Sequence, residues 1–139
     1  MSTIAERVHV VQDRLVRATE KAGRLPEDIS LMAISKHFDA EAVREVASLG
    51  ISLFGENRVQ EAGMKIPECP ATLCWHLVGH LQRNKIRPAL ELFSSIDSVD
   101  SLRLLEALQA GCEATGRRIE VLLEVNVSGE AVKFGFKPE

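Results

Sequence analysis

Five short apolar runs alternating with helical segments constrain this chain more than any other feature. They occupy residues 29–34, 51–54, 73–78, 93–96 and 119–127. The second run is followed by Gly55-Glu56-Asn57 and a predicted helix over 58–65. The third is followed by Gly79-His80 and a helix carrying Leu81, Ile86 and Leu90, and the fourth by Asp97-Ser98 and a helix carrying Val99, Leu102, Leu105 and Leu108. The fifth, rich in β-branched residues, leads into Ser128-Gly129-Glu130. Buried strands read as short apolar runs, and compact strand–turn–helix units in series predict parallel pairing through right-handed crossovers. The fold class is α/β. A doubly wound sheet shows the same alternation, but no G-x-G-x-x-G follows the first strand, so a (β/α) TIM-type barrel is the better fit. Ahead of the repeat, Ile4, Val8, Val11, Leu15, Ala18 and Ala22 recur at helical steps, and Gly23 is placed to close that helix in the left-handed conformation.

A complete eight-unit barrel needs roughly 250 residues, whereas this sequence has 139. Residues 1–139 are therefore read as the N-terminal part of a single barrel domain, truncated to about its first five units. Such a piece leaves its first and fifth strands as open edges and uncovers part of an apolar interior, which predicts self-association. The chain is 45% hydrophobic with interspersed charges summing to −3. No Lys/Arg run could track a nucleic acid or an anionic membrane, so neither partner is expected. The N-terminus lacks the basic start and apolar block of a leader, and the three cysteines form no C-x-x-C pair; a cytoplasmic, reduced protein is expected.

In parallel α/β proteins, functional groups gather where strands end. Those positions hold Lys36, Glu56 and Asn57, His76 and His80, Asp97, and Asn126. A lysine ending an apolar strand can be partly desolvated, which favours the neutral amine that attacks an aldehyde. By position alone, however, a solvated lysine at a strand-to-helix turn is the favoured reading of Lys36. Asn57 can donate a hydrogen bond to a phenolic or aldehyde-derived oxygen, while Glu56 reads either as orienting a neighbour or, preferred here, as the cap of the next helix. His76, His80 and nearby Cys74 have ligand-like spacing but lack the Glu of H-E-x-x-H, and no metal is expected. Trp75 reads as barrel packing. Asp97 and Asn126 read either as mouth-lining residues or as turn stabilisers.

Four strings carry a resemblance across nearly the whole chain: Leu31-Met32-Ala33-Ile34-Ser35-Lys36, Phe54-Gly55-Glu56-Asn57-Arg58-Val59-Gln60-Glu61, Trp75-His76-Leu77-Val78-Gly79-His80-Leu81-Gln82-Arg83-Asn84-Lys85 and Val125-Asn126-Val127-Ser128-Gly129-Glu130. In this order they resemble the motifs of the pyridoxal-phosphate homeostasis family. The resemblance implies a barrel like the N-terminal domain of alanine racemase, with pyridoxal 5'-phosphate (PLP) held as a Schiff base on Lys36 and Asn57 as a cofactor neighbour. It implies a non-catalytic role in intracellular vitamin B6 homeostasis, with PLP-dependent apoenzymes as recipients. The segments 79–85 and 128–133 would lie in mouth loops. The family's phosphate contacts fall beyond the last residue here. His37, Phe38 and Asp39 follow the lysine where the family commonly has a proline; Asp39 reads as the next helix cap. A racemase or decarboxylase of this fold is the alternative, but such racemases use a tyrosine as second base, and the chain has no tyrosine. A fragment that no longer binds the cofactor is a further alternative.

Overall fold

The opening helix begins at a reciprocal cap. In the computed structural model, which describes residues 1–138, the Thr3 hydroxyl accepts from the Glu6 amide at 3.1 Å and the Glu6 carboxylate accepts from the Thr3 amide at 2.8 Å. Two donors that a helix start leaves unpaired are thereby satisfied. Helix α1 (Ile4–Lys21) ends at Ala22, and Gly23 takes φ +65°, the left-handed closure expected from the sequence.

Five strands follow: β1 (Met32–Ile34), β2 (Leu53–Glu56), β3 (Cys74–Leu77), β4 (Ser95–Val99) and β5 (Glu120–Leu123). Between them run α2 (Ala40–Ser48), α3 (Val59–Lys65), α4 (Ile86–Leu92) and α5 (Leu102–Thr115). Local chemistry sets the helix ends. Asp39 caps α2 by accepting from the Ala42 amide at 2.9 Å, as expected, and Ser101 caps α5 by accepting from the Leu104 amide. Gly116 closes α5 with φ +65°.

All neighbouring strands pair in parallel, in the order β1-β2-β3-β4-β5. That order never reverses. A doubly wound sheet must reverse at a switch point, so the topology selects the barrel-type winding over its competitor. β1 and β5 are the open edges of the described sheet.

Alternation along the strands divides the sheet into two faces. Phe54, Trp75, Leu77 and Ile96 are buried beneath the helices with Val43, Val59, Ala62, Leu90, Leu104 and Leu108. Phe54 and Trp75 pack with ring centroids 5.3 Å apart, so Trp75 is a packing residue as expected. The opposite face carries the row Ile34, Gly55, His76, Ser95 and Glu120, paired strand to strand. Ile34 is 46% exposed and Leu122 is 60% exposed, so this face is open where a closed barrel would be filled. At Gly55 a Cβ would lie 2.6 Å from Ile34 Cδ1 and 2.9 Å from Met32 Sδ, so the ends of those two flexible side chains would have to shift.

Three sequence expectations need correction. Glu56 is the last residue of β2, and α3 has no side-chain cap at Arg58. Its parity with Phe54 turns it inward beneath the helices. Asp97 and Ser98 lie inside β4 rather than in a turn, and Val99 ends that strand instead of starting a helix. Leu81 is buried in the loop ahead of α4, outside the helix assigned to it. Each error comes from the same source, since a polar pair at a strand end reads as a turn unless the partner that buries it is known.

Candidate functional site

β1 and β2 end in step. Ile34 pairs with Gly55, so Lys36 and Asn57 each lie two residues beyond one paired row, on adjacent strands whose axes are about 4.8 Å apart. The Lys36 turn is well defined. The Ser35 amide donates to Gly55 O at 3.0 Å, the Phe38 amide donates back to Ser35 O at 3.1 Å, and His37 adopts φ +68°. Left-handed backbone is uncommon outside glycine, so contacts on either side must hold it. The Lys36 side chain is exposed. The desolvation anticipated from the apolar strand is therefore not present, because the turn carries the residue past the last strand pair and no described element covers it.

Asn57 is partly buried, and its Oδ1 is shielded from solvent with no hydrogen-bond partner among the described residues. An orphaned buried amide atom is costly unless something pairs with it. Asn57 lines an open cleft of about 610 Å³ together with Arg58, Gly79, His80, Gln82 and Lys85. The two loops touch closely enough that a Cβ on Gly79 would lie 2.2 Å from Asn57 O, so only glycine fits there.

His76 and His80 are each paired with an aspartate, the first in β4 and the second just after it. His76 Nδ1 lies 2.9 Å from Asp97 Oδ2, and the Ser95 hydroxyl donates to Asp97 Oδ1 at 2.5 Å. His80 Nδ1 lies 2.6 Å from Asp100 Oδ2, and its ring stacks on Phe134 at 3.8 Å. The stack brings the loop after β5 back to the mouth. Within that loop Asn126 accepts from the Gly129 amide and the Ser128 hydroxyl and donates to Glu130 O. Of its two readings, turn stabilisation is the one with observed partners, while Asp97 orients His76 on the open face.

Sequence reasoning missed Lys65. It is 9% exposed, and its ammonium pairs with the fully buried Glu56 and donates to Ser35 O at 2.8 Å. The Ser35 hydroxyl donates to the same Glu56 oxygen at 2.7 Å. One signal was available: Glu56 continues the Phe54 parity into the core, and a buried carboxylate requires a cation. Close to this pair, burial pushes the Cys69 thiol above its ordinary range, an effect partly offset by Arg44 and Lys65. Its Sγ donates to Lys65 O at 3.4 Å, which marks it as a packing residue.

A singly wound parallel sheet with helices between its strands defines a class, the front portion of a (β/α) barrel. More specifically, the chain belongs to the alanine racemase N-terminal domain family, which residues 12–139 match. It is 44% identical to the pyridoxal phosphate homeostasis protein of Pseudomonas aeruginosa over 140 residues, covering 100% of this chain and 61% of that protein. The protein of the same name from Escherichia coli K12 is 38% identical, covering 99% and 60%. The structure of PipY from Synechococcus elongatus with PLP bound superimposes with a TM-score of 0.72 at 39% identity, covering 88% of this chain and 57% of PipY. The chain thus spans about three fifths of the length of the curated relatives it matches.

Proposed function

We propose that this chain is the N-terminal part of a barrel that holds PLP as a Schiff base on Lys36, with Asn57 as the neighbouring polar contact. The role is intracellular vitamin B6 homeostasis, carried out in the cytoplasm without turnover, with the cofactor passed to PLP-dependent apoenzymes. One observation carries this reading: a primary amine and an amide with an orphaned oxygen each follow, by two residues, the same paired row of adjacent strands, at the end of the sheet where ligands collect in this architecture. PLP bound to the related PipY supports the choice of ligand.

The residues present fit half of the cofactor. An aldehyde is what PLP supplies, and the Lys36 amine is free in solvent to condense with it. Asn57 Nδ2 can donate to a polar oxygen of the ring, while its orphaned Oδ1 requires an N–H or O–H donor. The phosphate has no comparable seat among the described residues, in keeping with barrels that cradle it after the seventh and eighth strands. The chain's own tasks are to root the amine in a fixed turn and to bring the Gly79 loop against Asn57.

Adding PLP to the protein is expected to produce a new visible absorbance band and, after borohydride reduction, a pyridoxyl mass increment on residue 36. Lys36→Ala should abolish both. A wild-type sample that stays colourless and unlabelled at residue 36 refutes the reading. The open edges and uncovered face of β1 and β5 add a second expectation, that the 139-residue polypeptide self-associates. Light scattering tests this, and a monomer at all concentrations contradicts it.

A further inference from the structure

We infer that the buried Lys65–Glu56 pair is a positioning device for the Lys36 turn, a role that rests on Lys36 being the cofactor amine. The pair is an uncommon choice for its place. Glu56 shares a paired row with Leu77, Ile96 and Val121, where an aliphatic residue would pack without bringing charge into the core. Lys65 ends α3, whose other buried positions are Val59 and Ala62. Apolar side chains of similar volume often serve such positions at least as well for stability. What the charged pair adds is direction.

That direction is toward Ser35. Lys65 donates to the Ser35 carbonyl at 2.8 Å, the same carbonyl that accepts from the Phe38 amide to close the turn. The Ser35 hydroxyl is held by Glu56 at 2.7 Å, and the Ser35 amide donates to Gly55 O at 3.0 Å. Every polar group of the residue preceding Lys36 is therefore fixed, and three elements (β1, β2 and α3) meet at that point. Lys36 is exposed, and His37 holds a left-handed φ of +68° that an unconstrained turn would readily leave. Because the lysine side chain is long and solvated, the protein can aim its amine only by fixing the backbone from which it grows. Removing the freedom of that root raises the effective concentration of amine at the mouth relative to other surface lysines.

The test uses the full chain with PLP as probe. Wild type and the Lys65→Met/Glu56→Gln double variant, which leaves no lone charge in the core, are reduced with borohydride well below their melting temperatures. Pyridoxyl is then mapped by peptide mass. In wild type, residue 36 is expected to outcompete the exposed Lys21, Lys133 and Lys137. In the folded double variant its advantage should fall by about tenfold, the scale of one charge-assisted hydrogen bond. Labelling at residue 36 that matches wild type overturns the inference. A second readout needs no cofactor: amide exchange at Phe38 should accelerate by about tenfold in the double variant, and unchanged exchange sinks the positioning role whatever PLP does. Conversely, accelerated exchange with no labelling of wild-type residue 36 retains the turn device and refutes the cofactor reading. If the double variant does not fold, Ser35→Ala takes its place by removing the hydroxyl's bonds to Glu56 and Gly55 O: a smaller loss of exchange protection at Phe38 supports the role, and unchanged exchange overturns it.

Discussion

Replacing Lys65 alone by methionine is expected to cost about 3–5 kcal/mol of stability, the range seen when one partner of a buried ion pair is removed. Glu56 is fully buried, and its Oε2 already lacks a hydrogen-bond partner. Without Lys65, the carboxylate retains only the Ser35 hydroxyl. Native domains hold only about 5–15 kcal/mol in total, so thermal or denaturant unfolding should show a large drop. Most of it should return when Glu56→Gln is added, because the penalty lies in the stranded charge and not in the lost contact. A single variant as stable as wild type would mean that Glu56 reaches water or accepts a proton with ease.

Phe54→Ala is expected to do comparable damage by different physics. Phe54 is 1% exposed, packs on Trp75 and lies one residue from Gly55, over which Ile34 and Met32 close. Loss of a buried aromatic ring removes transfer energy and leaves a cavity, typically about 3–5 kcal/mol. Unlike the Lys65 defect, this one has no polar partner to neutralise, so no change at Glu56 should restore it. Chemical denaturation of the two variants, each with and without Glu56→Gln, separates the mechanisms.

Much of the architecture was readable from residue order. Apolar runs and turn residues located all five strands, because a parallel strand buried on one face leaves a local signature. Gly23 and Asp39 announced their helix ends for the same reason, since caps depend on nearby atoms. The position of Lys36 and Asn57 just beyond strand ends was legible as well, because strand ends are local features. Lys65 could not, since its partner lies across the helix–sheet interface and a lysine ending a short helix reads as a solvated cap. Glu56 was misread for the same reason. The exposure of Lys36 matches the reading its position favoured, a solvated lysine at a turn, and the desolvation argued from the apolar strand failed because solvent access depends on what packs around a turn.

The unbroken order of the sheet has a consequence for how the molecule is made. Each strand's backbone bonds reach only the strand synthesised just before it and the one just after. Sequence separation between partners stays at about one strand–helix unit, so each pairing closes a loop of similar, limited length. A nascent chain leaving the ribosome can therefore lay down one unit on the previous one, with each arriving helix covering apolar surface that its predecessor left bare. Ser35, Glu56 and Lys65 all belong to the first units to emerge, so the seat of the Lys36 turn can be complete before β4 and β5 have been translated.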